Sequence, residues 1–371
     1  MFFSTDIISN IILAIVAYAA VRIVILLRKS KPYPLPPGPK PWPVLGNITD
    51  MPKTGVREWE FWLKHKDLYV RHLPQWAPGA EFQKTAVKWK ATLTELAERP
   101  MQFVRKQMKE QHYEPSYVSA LYEKADGKFS AEDEHVFKFS AASLYTGGAD
   151  TSVSSMATFF LAMMLYPEVQ LKAREEIDRV VGDRRLPNVR DRDSLPYVEA
   201  VLKEVFRWHP IAPMGLPHEI TEDDIYQGYL IPKGAIIIPN IWWFAHDPSV
   251  YPNPEVFDPS RFLGPNPAPD PYDYVFGFGR RACPGKMLAD ASVWLTLSRS
   301  LAVFDISKSR DDAGNEIEPV VRFSPGILSH PEPFQADVKP RSSKHEELIR
   351  QIERTHPWEK GSSSELDPLA V

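Results

Sequence analysis

Cys283 is the single cysteine among 371 residues. A chain with one thiol closes no intramolecular disulfide and builds no all-cysteine zinc or iron–sulfur site, so no covalent staple sets its fold. What is left for the cysteine is a packed bland thiol, a nucleophile or a single axial ligand to a metal. Its setting favours the ligand. Cys283 stands in Phe276-Gly277-Phe278-Gly279-Arg280-Arg281-Ala282-Cys283-Pro284-Gly285. The glycines admit positive φ and let backbone come close to a flat or bulky group. The apolar run from Met287 to Ile306 predicts a helix directly downstream. A thiol ahead of a helix N-terminus feels its positive end, which favours thiolate, and N–H groups donated to the sulfur tune it further.

The length is large for one core, although a single large domain is possible. Apolar residues at 43% and charged residues at 25% are ordinary for a folded soluble protein. A net charge of −4 gives no electrostatic reason to expect nucleic acid as a partner. Proline is the anomaly: its 36 residues, many of them in loops, predict irregular connections between elements.

The stretch from Ile7 to Leu27 is 21 residues long and largely apolar, enough to span a bilayer. Arg22 interrupts it near one end, where a long side chain can snorkel. Arg28, Lys29 and Lys31 follow, and the positive-inside rule then puts the remainder in the cytoplasm. The run is long for a cleaved signal peptide and lacks a basic leader. Residues 1–30 therefore read as a single-pass transmembrane anchor. Residues 31–40, Lys-Pro-Tyr-Pro-Leu-Pro-Pro-Gly-Pro-Lys, read as a stiff proline-rich spacer or an SH3-type ligand.

Ser130 with Asp133 three residues on predicts a capping box, followed by a helix to Leu165. Pro167 ends that helix or opens the next, which runs to about Val181 with Gly182 as its stop. Inside the first helix lies Gly147-Gly148-Ala149-Asp150-Thr151-Ser152. Two adjacent glycines cost roughly 1 kcal/mol each relative to alanine. The missing side chains would open a groove in which Asp150 and the hydroxyls hold a water; the plainer alternative is a kinked core helix with a solvated Asp. From Leu195 to Trp208 the spacing of Val198, Leu202, Val205 and Phe206 predicts another amphipathic helix. Glu204 and Arg207 share a face of it, as a surface pair worth a few tenths of a kcal/mol or as something buried. Asp258-Pro259-Ser260-Arg261-Phe262 follows, and the segment from Ile225 to Pro239 reads as a short hairpin.

The spacing F-x-x-G-x-R-x-C-x-G, matched at Phe276, Gly279, Arg281, Cys283 and Gly285, closely resembles the haem-binding loop of the cytochrome P450 family. The order of anchor, proline hinge, Gly-Gly-x-Asp-Thr, E-x-x-R, P-x-R-F and cysteine loop also resembles that family. The similarity is to fungal microsomal members, the subfamily around O-methylsterigmatocystin oxidoreductase. It covers about Leu73 to Pro333 together with residues 1–69.

The resemblance implies a mainly α fold with small β-sheets behind a transmembrane helix. It implies haem b as cofactor and Cys283 as the thiolate ligand of its iron. Arg281 and His218 become haem-propionate partners, although His218 also reads as a surface loop histidine. Asp150 and Thr151 become the acid–alcohol pair that relays protons towards dioxygen. Glu204, Arg207 and Arg261 become a buried ion-pair triad behind the haem loop. Ala212–Leu216 becomes a pocket-wall strand, and Pro325–Leu328 a turn entering the pocket. Residues 41–337 are then a truncated catalytic domain; 338–371, charged and then Ser-rich, read from composition as a polar, partly helical, partly disordered extension. The implied partners are NADPH–cytochrome P450 reductase, a hydrophobic small-molecule substrate and a membrane, by family habit that of the endoplasmic reticulum. The implied reaction inserts one oxygen atom from O2 into that substrate in fungal secondary or xenobiotic metabolism.

The chain departs from the family in its middle. Gly147 follows Pro39 by only 108 positions, and family members carry well over a hundred further residues there. The apparent join lies near Tyr69/Val70. In the family the block missing at that join carries most of the N-terminal sheet, the first substrate-recognition loop and a helix bearing W-x-x-x-R. Neither Trp59 nor Trp89 has an arginine four residues later. A second reading follows: a non-catalytic, membrane-anchored remnant left by splicing, gene decay or a gene-model error. A cysteine hydrolase would leave the other motifs unexplained.

Overall fold

The computed structural model describes residues 81–358 together with Ile15, Val16, Tyr18 and Gly361. The rest of the apolar stretch Ile7–Leu27, the proline hinge and the Tyr69/Val70 region lie outside the described residues. Among the described residues no helix is long and apolar enough to cross a membrane. The helices are α1 (Glu81–Lys109), α2 (Tyr117–Ala125), α3 (Ala131–Leu165), α4 (Pro167–Val180), α5 (Pro196–Trp208), α6 (Ile241–His246), α7 (Lys286–Val303) and α8 (Ser343–Thr355). The strands β1 (His218–Glu219), β2 (Asp224–Tyr226), β3 (Tyr229–Ile231), β4 (Ile236–Ile237), β5 (Phe304–Lys308) and β6 (Ala336–Pro340) form three two-stranded sheets. The fold is mainly α with small sheets, as the sequence implies.

The described residues from 81 on divide into two compact units, one holding Pro217–Ile238, the other the remainder. In the first, β2 and β3 form a hairpin in register Tyr226↔Tyr229, closed by Gln227-Gly228. The expected hairpin does not run on to Pro239, because β4 turns back to pair with β1, His218 opposite Ile237.

In the larger unit α3 is the axis, 35 residues and about 50 Å long at 1.5 Å per residue. Ser130 Oγ accepts from the Asp133 N–H at 3.1 Å, and the Asp133 carboxylate accepts from the Ser130 N–H at 2.8 Å. Those bonds hold the Asp133 carboxyl below the usual carboxylate range and close the predicted capping box. The two ends of α3 sit in different apolar clusters. Near its start, Phe137 and Ala141 pack on Met101 of α1 and on Val118 and Tyr122 of α2. Tyr122 meets Phe129 and Phe137 edge to face, centroids 5.1 and 5.8 Å apart. Near its end, Phe159, Leu161, Ala162, Met163 and Met164 enter the main core with the apolar faces of α4, α5 and α7.

That core is locked by polar side chains that finish what the backbone leaves open. Helix α5 has no side-chain cap of its own at Leu195. Glu176 of α4 supplies one, accepting from the Tyr197 and Val198 N–H groups at 2.9 and 3.0 Å. Gln170, also of α4, accepts from the Ile306 N–H at 3.0 Å and donates to the Ile306 carbonyl at 2.8 Å.

Three local expectations need correction. The helix read over Met287–Ile306 ends at Val303, and Phe304–Lys308 instead pairs with Ala336–Pro340 as β5 and β6. Aromatic and β-branched residues there satisfy either state until a partner strand decides. The polar extension read from Val338 has the helical part expected of it, but its boundary falls inside β6. Its helix α8 packs on α7, tied in by Arg341 on both oxygens of Asp178 at 2.9 and 2.5 Å. Ala212–Leu216 is a turn, not a strand: the Gly215 N–H bonds the Ala212 carbonyl at 2.9 Å. Pro213 has no N–H for a ladder, and Gly215 has φ +55°. A Cβ on Gly215 would lie 2.6 Å from Cγ of Pro239, so only glycine fits.

Candidate functional site

The site grows out of α5. The turn spacing that puts Val201, Leu202 and Val205 in the core also buries Glu204 and Arg207, both fully inaccessible. A charge there survives only when paired and hydrogen-bonded throughout. Arg207 meets that demand with two bonds to Glu204 at 2.7 and 2.8 Å and one to the Ala245 carbonyl at 2.9 Å. Its guanidinium also lies 5.6 Å from the Tyr251 ring centre. Glu204 accepts further bonds from the Asp258 N–H at 2.8 Å and from Arg261 Nε at 3.2 Å. Arg261 in turn reaches the Pro252 and Val256 carbonyls at 3.1 and 3.2 Å. The structure thus brings Glu204, Arg207 and Arg261 together. The pair is no surface ornament.

His246, at the end of α6, packs beside this cluster, stacked on Trp242 at 4.4 Å and bonded to its carbonyl at 2.9 Å. Burial, and then the Arg207 charge, lower its pKa to about 4. It is held neutral at physiological pH.

The cysteine loop follows a short turn, Pro271–Asp273, that caps itself through Asp270. Gly277 and Gly279 take φ of +79° and +53°, the left-handed conformations expected of glycines there. The Cys283 N–H bonds the Phe276 carbonyl at 2.7 Å, closing the loop on itself. Gly285 is the N-cap of α7, and a Cβ on it would meet Cys283 Sγ at 3.8 Å. The thiol is exposed, just ahead of the amino end of an 18-residue helix. Arg281 is exposed beside it, as are Met287 and Leu288 in the first turn of α7.

On α3, residues 143–150 are exposed on every side. Nothing lies within 4 Å of a Cβ built on Gly147 or Gly148, so the space beside the paired glycines is open. Thr151 Oγ1 donates back to the Gly147 carbonyl at 2.8 Å. Asp150 turns instead to His330, Nε2 to Oδ2 at 3.0 Å. His330 is delivered by its buried neighbour Ser329. Ser329 accepts from Ser154 Oγ at its carbonyl, 2.7 Å, and bonds His209 Nε2 through its hydroxyl, 2.9 Å. Sequence reasoning missed this contact, since 180 positions separate Asp150 from His330 and no local pattern joins them. The bend at Gly326–Leu328 leads into it, where the sequence placed a turn.

His218 is exposed and lies in β1, in the smaller unit. A hollow of about 290 Å³ on α1, lined by Gln102, Arg105, Lys106, Lys109 and Glu110, contains none of the site residues. Among the described residues no group of three or more His, Cys, Asp or Glu is placed to hold a metal ion.

Comparison with known proteins gives this arrangement a family. The cytochrome P450 family model matches residues 62–338. The cytochrome P450 monooxygenase claR of Ampulloclitocybe clavipes is 52% identical over 298 residues, covering 80% of this chain and 55% of the relative. The multifunctional cytochrome P450 monooxygenase af510 of Aspergillus fumigatus is 46% identical, over 81% of this chain and 58% of its own. O-methylsterigmatocystin oxidoreductase of Aspergillus flavus, of the subfamily the motifs point to, is 44% identical over 80% and 56%. A zebrafish cytochrome P450 solved with abiraterone matches in structure with a TM-score of 0.56 and 29% identity, over 65% of this chain and 59% of that one. The chain therefore spans a little over half the length of the curated relatives it matches. With the family model matched over residues 62–338 and a relative 52% identical over 80% of the chain, this chain belongs to the cytochrome P450 family.

Proposed function

We propose that the chain is a haem-thiolate monooxygenase that inserts one oxygen atom from O2 into a hydrophobic substrate, as in fungal secondary or xenobiotic metabolism. The observation that carries this reading is the buried Glu204–Arg207–Arg261 cluster together with an exposed, solitary thiol just ahead of α7. The donor set fits the cofactor: one sulfur, a glycine-shaped loop around it and an open α3 face at Gly147 and Gly148.

When bound, the haem supplies reductive activation of dioxygen with electrons delivered by NADPH–cytochrome P450 reductase. Cys283 would hold its iron. Phe276, Gly279 and Gly285 would shape the loop around it, and Arg281 would meet a propionate. Asp150, with its carboxylate open to solvent and its partner His330, would take up and pass on protons, with Thr151 steering them. The anchor Ile7–Leu27 would hold the chain in the endoplasmic reticulum membrane with the catalytic domain cytosolic.

A second reading, the non-catalytic remnant, draws on a specific observation. Leu144, Tyr145 and Val153 on α3 and Met287 and Leu288 on α7 are each more than half exposed, and no W-x-x-x-R stands in the chain. The two readings separate on turnover. The chain, reconstituted with haem and the reductase, is incubated with NADPH and a panel of apolar compounds. A product heavier by one oxygen atom, lost in Cys283→Ala, supports the monooxygenase. NADPH consumption without product from any compound, or none at all, favours the remnant.

A further inference from the structure

The cysteine loop is bracketed a second time, by side chains remote from Glu204. Arg192, in the tight turn Val189–Ser194, donates to both oxygens of Glu199 on α5 at 2.8 and 3.0 Å. The same guanidinium donates to both oxygens of Asp290 on α7 at 2.5 and 2.7 Å. The Tyr272 hydroxyl also donates to Asp290. Lys286 Nζ bonds the Tyr272 carbonyl at 3.1 Å and lies 5.3 Å from the Tyr272 ring and 5.6 Å from that of Phe276. Both rings meet Phe206 of α5 at 5.4 Å, edge to face.

Two positive groups face two carboxylates here, all of them between exposed and buried, so each bond is worth more than at an open surface. Burial pushes the Asp290 carboxyl up, but the bonds from Arg192 and Tyr272 outweigh it and hold it below the usual range. Burial and Asp290 drive the Tyr272 phenol far above its ordinary value, so it stays a donor. The placement is what matters: Tyr272 and Phe276 lead into Cys283, while Lys286 and Asp290 lead out of it. One clamp therefore grips both strands of the loop and fastens them to α5.

We propose that Arg192, Asp290, Tyr272 and Lys286 are positioning residues that fix where Cys283 presents its sulfur, separately from the Glu204 triad. That the sulfur is presented to haem rests on the function proposed above; that the clamp fixes the loop does not.

The test is hydrogen exchange, read by mass, on the full haem-free chain and its variants. Asp290→Ala should speed exchange of amides in 276–290 by ~10-fold or more while leaving 196–208 at the wild-type rate. Arg192→Lys should match it, because a point charge cannot hold two carboxylates as the planar fork does. Tyr272→Phe removes one bond and should have a smaller effect in the same segment, which keeps the test alive if the alanine variant does not fold. After haem reconstitution, Asp290→Ala should also shift ferrous–CO absorbance from the thiolate-type Soret position towards that of unligated or histidine-ligated haem. Unchanged exchange in 276–290, or an equal rise across α3, α4 and α5, would overturn the proposal. A wild-type chain without a thiolate-type band, whose loop is still loosened by Asp290→Ala, would sink the haem reading and leave the clamp standing.

Discussion

Two stretches only a few residues apart on α3 differ in burial, and their hydroxyls differ in the partners open to them. In the open part, Ser143, Thr146 and Thr151 bond back to carbonyls of their own helix, at Phe139, Ala142 and Gly147. Ser154, the first fully buried hydroxyl, instead crosses 175 positions to reach the Ser329 carbonyl. An exposed hydroxyl has water as an alternative and settles for the nearest acceptor. A buried one has no water and takes what the fold brings: Ser154 finds the Ser329 carbonyl, Ser155 beside it still bonds back to the Thr151 carbonyl at 3.3 Å, and Thr158 Oγ1 has no protein partner among the described residues. The same contrast separates the Glu204 cluster, where each charged group is enclosed and matched, from the Asp150 and Cys283 surfaces, which are open. The closed region sets the geometry; the open region is where chemistry can enter.

The contrast is most easily broken at its closed end. Arg207→Ala leaves Glu204 buried with less than its full set of partners and should cost about 3–5 kcal/mol, read as a fall in the urea midpoint. A loss below about 1 kcal/mol would mean that the cluster is wetter than its burial implies.

Next in size is a pH effect at His246. Its folded pKa, about 4, is below the ordinary 6.5, so the unfolded chain binds the extra proton. Its contribution is whole above pH 6.5 and is lost progressively as pH falls towards 4, on the order of 3 kcal/mol at 1.36 kcal/mol per pKa unit. Urea midpoints of the wild type should fall over that window more steeply than those of His246→Asn. Parallel curves would contradict the assignment.

Glycine-to-alanine changes then sharpen the comparison, since one edit should have opposite signs in the two regions. Gly215→Ala meets the Pro239 ring at a positive φ and should destabilise by about 1–3 kcal/mol. Gly148→Ala, in an open helix interior, should stabilise the haem-free chain by about 0.5–1 kcal/mol. If those glycines keep space for a ligand, the stabilised variant should bind haem less well, a trade visible in a haem titration.

Much of the closed region was legible because its signals are local. Glu204-x-x-Arg207 spans four residues, as does the exposed capping box at Ser130 and Asp133, and both appear in the structure as read. Arg261 joined that pair through the family resemblance alone. What escaped is non-local. Arg192 meets Asp290 across 98 positions, and Glu176 caps α5 from another helix. Neither leaves a pattern in one sequence, because any surface Arg or Glu looks the same until the fold brings its partner. Apolar runs misled for a related reason. Phe304–Ile306 continues the hydrophobic stretch of α7, and pairing with β6 makes it a strand. The site residues Cys283, Asp150 and Thr151 were found by motif, not by environment, which is why the Asp150–His330 contact came only with the coordinates.

If, as proposed, the scaffold within this chain suffices to present Cys283 as a thiolate ligand, the ferrous–CO difference spectrum of the haem-reconstituted, dithionite-reduced full chain will reveal it. A red-shifted Soret band of the thiolate-ligated type, absent in Cys283→Ala, is the predicted result. A band at the histidine-ligated or free-haem position, or failure to retain haem, would contradict it.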